Sequence, residues 1–160
     1  MAIFLYAKRQ PIVRHVEGKS EVILTDESNK TKIVDLRTND IIQLDALICT
    51  GRGSRTEIHH ENIIYRLGSM STASWQADQS IKIDGSLLFC SSEDANVTIS
   101  SAEGSAKFSG SGTIIFETTG NGGFKFIPIE ARGTLQTSKG GIKEVRSGRM
   151  IIVLGQPSEF

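Results

Sequence analysis

Short segments in which β-branched and apolar residues alternate with polar ones recur along this chain, and apolar residues at helical spacing are hard to find. The segments are EVILT at 21–25, TKIVDL at 31–36, DIIQLDALICT at 40–50, NIIYRL at 62–67, SIKI at 80–83 and SLLFC at 86–90. NVTIS at 96–100, GTIIFET at 112–118, GFKFIPI at 123–129 and RMIIVL at 149–154 complete the series. Asp26-Glu27-Ser28-Asn29, Asp84-Gly85, Glu103-Gly104, Gly120-Asn121-Gly122-Gly123 and Lys139-Gly140-Gly141 lie between them and supply the positive φ angles of tight turns. Strands recurring at about 8–12 residues with such turns predict an all-β fold, a solenoid-like or sandwich arrangement of short strands. Strand should exceed a third of the chain, and helix should be confined to a turn or so at 73–78.

No linker divides the sequence. One domain is expected over 11–155, between an amino-terminal tail at 1–10 and a carboxy-terminal tail at 156–160. The start, MAIFLYAKRQP, places its charges after the apolar patch, the reverse of a signal peptide. It reads either as an ordinary frayed end or as the remnant of a membrane anchor upstream of residue 1. No run approaches the roughly 18–20 apolar residues of a spanning helix.

Charge excludes one class of partner. Eighteen Lys and Arg balance eighteen Asp and Glu, with no basic stripe, so no nucleic-acid surface is expected. Cys49 and Cys90 lie in apolar runs without Cys-x-x-Cys spacing, which sets aside zinc and thioredoxin-type chemistry. They read as free buried thiols, with a bridge left open if their strands adjoin.

The stretch TGRGSRTEIHHENIIYRLGSMS at 50–71 looks most like chemistry. Gly51-Arg52-Gly53 begins a dinucleotide fingerprint, but Thr56 stands at the third glycine and strand-like residues follow where a helix is needed. GSGTII at 110–115 fails in the same way, so no phosphate-bearing cofactor is expected. His59 and His60 are adjacent, and on a strand they diverge to opposite faces. His60-Glu61-Asn62 reads as part of a hairpin turn with Ile58 and Ile64 inward, and no metal is expected. There is no Gly-x-Ser-x-Gly, and neither cysteine has a histidine near it in sequence. Paired carboxylates usually work in an aromatic-rich cleft, for which one Trp and two Tyr are few. The chain reads as non-catalytic, with no cofactor. Asn29-Lys30-Thr31 and Asn96-Val97-Thr98 match the glycosylation sequon, a pattern frequent by chance.

The order of several pieces resembles the FecR-type domain family. Ile48, Thr50, Gly51, Ser54 and Ile58 match its opening, and Arg66, Leu67, Gly68 and Ser71 its R-L-G-x-x-S. Gly85, Ser86, Leu87 and Leu88 match a G-S-L-L strand, then Gly110, Gly112 and Thr113 a G-x-G-T segment, and Gly133 and Gly148 its close. The similarity covers roughly residues 39–155. It implies an extracytoplasmic all-β domain, in the best-known members the periplasmic part of an inner-membrane regulator of iron uptake. That part receives a signal from an outer-membrane transporter and controls an anti-sigma segment. This chain shows neither that segment nor a further carboxy-terminal module, and looks closer to free-standing FecR-like envelope domains.

The expectation is therefore a periplasmic or envelope protein that acts in sensing or assembly by protein–protein interaction, with a carbohydrate-binding or architectural module as the rival. The partner is another envelope protein, met by strand addition at terminal strands 21–25 and 149–154. Proline at Ile23 or Ile152 tests that choice. The motif residues are read as structural: glycines at turns and close approaches, and Leu67, Leu87 and Ile114 in a core. Thr113 and Ser71 should bond turn backbone. Arg66 should cap carbonyls or pair with an acid inside the coil.

Overall fold

Alternation of apolar and polar residues persists farthest in β9 (Ser86–Ser100), β10 (Ser105–Thr118) and β11 (Phe124–Thr137), whose side chains switch between core and solvent with the period of a pleat. A computed structural model describes residues 10–137 and 141–155. Among these there is no helix, and strand occupies 65%. The tails at 1–9 and 156–160, and all but Gly141 of the turn expected at 139–141, lie outside the described residues.

The other strands are β1 (Ile12–Glu17), β2 (Ser20–Thr25), β3 (Thr31–Asp35), β4 (Leu47–Thr50), β5 (Arg55–His60) and β6 (Ile63–Leu67). β7 (Thr72–Trp75), β8 (Ser80–Asp84), β12 (Ile142–Arg146) and β13 (Ile151–Val153) complete a 13-stranded sheet. It curls until its halves face each other. One half runs β1-β5-β6, then 86–91 of β9, 112–118 of β10 and 124–130 of β11, then β13. The other runs β3-β2-β4-β7-β8, then 98–100 of β9, 105–110 of β10 and 132–137 of β11, then β12. All pairings are antiparallel except β8 with β9.

The three long strands pass from one half to the other at a shared bend. There Ser92, Glu93 and Asp94 of β9 and Ile129 of β11 have no partner in the register, so both neighbours of β10 bulge. β10 itself crosses the bend on Gly110 and Gly112. Gly112 has φ +113, and a β-carbon on it would stand 2.1 Å from the Glu130 carbonyl oxygen. Gly110 faces Gly133 directly across the ladder. Only bare backbone fits this close an approach.

Between the halves the aromatic side chains interlock. Trp75 meets Tyr65 edge-on at 5.5 Å, Tyr65 meets Phe89 at 5.9 Å, Phe89 meets Phe108 at 5.7 Å, and Phe108 meets Phe126 at 5.5 Å. Trp75 and Phe108 belong to one half and Tyr65, Phe89 and Phe126 to the other, so all of these pairs except Tyr65–Phe89, neighbours across β6 and β9, clamp the curl shut. Leu67, Leu87 and Ile114 are buried in the same core, as expected.

Three local expectations are corrected. Residues 73–75 lie in strand β7, not a helical turn, because Ala73, Ser74 and Trp75 are buried and paired to β8; the turn follows at Gln76–Gln79. SLLFC and NVTIS are one strand interrupted by the bulge. Ile63, not Ile64, points inward beyond the hairpin, since the two-residue turn of Glu61 and Asn62 puts His59 opposite Ile64 on the outer face.

Candidate protein-recognition edge

Most of the motif residues gather at two places, where short polar side chains and glycines meet backbone. Thr50, Gly51, Ser54, Gly68, Ser71 and Gly85 line a seam at one end of the molecule. There the connections β1–β2, β4–β5, β6–β7 and β8–β9 each cross from one half to the other. The Thr50 hydroxyl donates to the Gly68 carbonyl at 2.5 Å and accepts from the Ser71 N–H at 2.9 Å. Ser54 Oγ accepts from the Lys19 N–H at 2.8 Å, and Gly51 N–H donates to the Lys19 carbonyl at 2.9 Å. Ser71 Oγ accepts from the Ser86 N–H at 3.0 Å and donates to the Ser69 carbonyl at 3.0 Å. A β-carbon on Gly85 would lie 2.3 Å from Ser71 Oγ and 2.9 Å from Ser71 Cα, so Ser71 packs directly on the bare backbone of the glycine. These short polar groups satisfy backbone that no ladder reaches.

Gly110, Gly112, Thr113 and Gly133 form the second place, the bend. The Thr113 hydroxyl faces Cys90 Sγ at 3.5 Å across mid-strand instead of bonding turn backbone, because its register partner is Cys90. Gly148 stands alone in the turn returning from β12 to β13, its N–H on the Pro128 carbonyl at 2.8 Å. Open grooves of about 410 and 540 Å³ follow the bend, lined mainly by small and charged residues around Arg132.

Arg66 points outward. Its Nε donates to Glu57 Oε1 at 2.9 Å on the solvent face, where strand pairing sets Glu57 opposite Arg66. The acid that pairs with Arg66 therefore lies outside the coil and not inside it, since Tyr65 and Leu67 take the inward positions. Glu57 also meets His59 Nε2 at 3.1 Å, and His60 turns to the other face. Among the described residues no three His, Cys, Asp or Glu side chains gather as a metal would require. The Arg66 hydrogen bond, with His59 assisting, holds the Glu57 carboxyl below its ordinary range against some desolvation. A group so depressed stabilises the fold above the ordinary carboxylate range and loses that contribution as pH falls. Arg66 is well exposed, so Arg66→Ala should cost less than about 1 kcal/mol at neutral pH. Thermal melts from neutral pH to below about pH 4 should show wild type and variant converging.

Cys49 lies in β4 and Cys90 in the other half, and both are free. Burial, with Glu21 nearby, pushes the Cys49 thiol up.

The sheet edges are where backbone is left over. β2 is not an edge: β3 pairs it on one side and β4 on the other. β1 is covered by the 39–42 segment, whose Asn39 and Ile42 N–H groups donate to Val13 and Pro11. Among the described residues, β3, β12 and β13 each pair with one strand only, so of the two terminal segments expected as edges it is 149–154, through β13, that forms one.

On β3 an exposed apolar side chain continues a row across the neighbouring strands. The Leu36 N–H donates to Ser20, which fixes the alternation along this pair. Lys32 and Val34 therefore turn their backbone groups to β2, and Thr31, Ile33 and Asp35 turn theirs to the free side. Ile33 is 62% exposed and continues a cross-strand row with Ile23 and Leu47 on the outer face. A groove of about 630 Å³ runs beside this edge, bounded by Lys32–Asp35, Arg37 and Asp40. Sequence reasoning finds the terminal hairpin and misplaces its edge, because which strand of a hairpin is covered depends on the distant strand β4.

Comparison with family models, with curated proteins and with solved structures finds no match to this chain.

Proposed function

We propose that this is a non-catalytic recognition domain that binds another protein by adding a strand to its sheet, with β3 as the receiving edge. The observation that carries this reading is the coincidence, on one strand, of outward-facing backbone at Thr31, Ile33 and Asp35 with an exposed apolar row through Ile33. Backbone pairing supplies affinity in such a mode, and side chains at alternate positions supply selectivity. The FecR-type resemblance supports a setting in the bacterial envelope, in sensing or assembly, with coupling to a sigma-factor pathway as the most specific version. The carbohydrate-binding rival lacks its usual platform: every described aromatic side chain is buried in the core.

Proline scanning tests the reading. Ile33→Pro removes a free-side N–H and spares the ladder, so the variant should stay folded and lose capture of a specific polypeptide from an envelope extract. Ile152→Pro probes the β13 edge by the same logic. Ile23→Pro should unfold the domain, because the Ile23 N–H faces β4. Capture that survives Ile33→Pro and Ile152→Pro in folded protein contradicts strand addition at these edges.

A further inference from the structure

We propose that the β3 edge pairs with β3 of a second copy of this chain, antiparallel about a two-fold axis, with Ile33 opposite the partner's Ile33. The inference rests on strand addition as the mode of recognition and names the occupant.

The free groups fix which face and which residues meet the partner, and the side chains choose the register. Two-fold antiparallel pairing keeps each residue on its own face of the sheet, so only residues of like parity can stand opposite one another. Thr31, Ile33 and Asp35 share both the outer face and the free-side backbone. Centring the axis on Ile33 sets Thr31 against the partner's Asp35 and Asp35 against the partner's Thr31. All three positions then become hydrogen-bonded pairs. A shift of the centre to Val34 would leave the same backbone groups facing the partner but set apolar Ile33 against the partner's Asp35 and break the apolar row.

Side chains agree with that register. The row Leu47–Ile23–Ile33 would run on into the partner's Ile33, Ile23 and Leu47, covering the most exposed apolar side chain of β3. Asp35 stands directly opposite Glu21 within one chain, a like-charge pair that Lys19, 2.9 Å from Glu21, partly neutralises. The partner's Thr31 would bring a hydroxyl donor to the Asp35 carboxylate. Farther along, exposed Arg37 would pass the partner's hairpin tip, where the partner's Glu27 is exposed. The same contact repeats at the other end by symmetry. With 18 charges of each sign, no net repulsion opposes the approach.

The test is the mass of the purified chain in solution, by sedimentation or light scattering, with a cross-link to fix the register. Wild type should show twice the 17.4 kDa of a single chain. Ile33→Pro should return to the single-chain mass, as should Ile33→Lys, which opposes two charges at the axis and leaves the backbone intact. In a Cys49→Ala, Cys90→Ala background, Ile33→Cys should oxidise to a covalent dimer, because directly opposed Cα atoms lie within disulfide reach. Thr31→Cys, opposite the partner's Asp35, should not. A wild type that stays monomeric, or a dimer that survives both Ile33 variants, overturns self-pairing. A monomer that still captures an envelope protein through Ile33 overturns self-pairing and leaves strand addition standing. A monomer without such capture defeats both.

Discussion

Gly112→Val is expected to lower stability by about 3–5 kcal/mol, among the largest effects of any single change outside the core. Two costs combine. Valine resists the positive φ of +113, and its β-carbon would be driven to 2.1 Å from the Glu130 carbonyl and 2.5 Å from the Ala131 Cα. Neither obstacle is a flexible side chain, so β10 and β11 must separate where the sheet bends. Gly112→Ala should be nearly as damaging, since the β-carbon alone makes the clash. Gly120→Ala is the control: it sits in a turn where a β-carbon would meet nothing within 4 Å, and should change little. Thermal or denaturant unfolding of the three variants decides the matter. If Gly112→Val melts with the wild type, the bend does not depend on bare backbone.

Phe108→Ala is expected to cost about 3–5 kcal/mol, the range for emptying a fully buried aromatic site. Phe108 has no solvent exposure and touches Phe89 and Phe126 from the opposite half. Its loss would open a cavity on the line where the halves meet. Phe108→Leu should recover part of the loss, because volume matters there more than ring geometry. An exposed apolar residue such as Ile142 offers the contrast, and Ile142→Ala should fall within about 0.5 kcal/mol of wild type.

How much of this is legible in the sequence depends on whether the information is local. Alternation identifies β2, β3, β6 and β8 closely, and the motif glycines mark the seam and the bend. β12 escapes notice because Ile142-Lys143-Glu144-Val145-Arg146 carries three charges and only Val145 faces the core. The bulge at Ser92, Glu93 and Asp94 looks like a loop between strands, since polar residues there neither alternate nor pair. β7 is obscured because Ala73, Ser74 and Trp75 lack β-branching, and pairing with β8 overrides that weak preference. The recognition edge is half legible. The hairpin 21–35 is evident, yet only long-range topology reveals that β4 covers β2 and leaves β3 free.

Site-resolved amide hydrogen exchange along β3 tests the central claim, that its outward backbone is the recognition surface. In dilute solution the amides of Thr31, Ile33 and Asp35 should exchange rapidly, and those of Lys32, Val34 and Leu36 slowly, as the one-sided ladder requires. Adding the captured envelope protein, or raising the concentration of the chain itself, should make the fast set slow without changing β5 or β6. Uniform protection of β3 from the outset, or a fast set that stays fast in the bound state, would contradict the account.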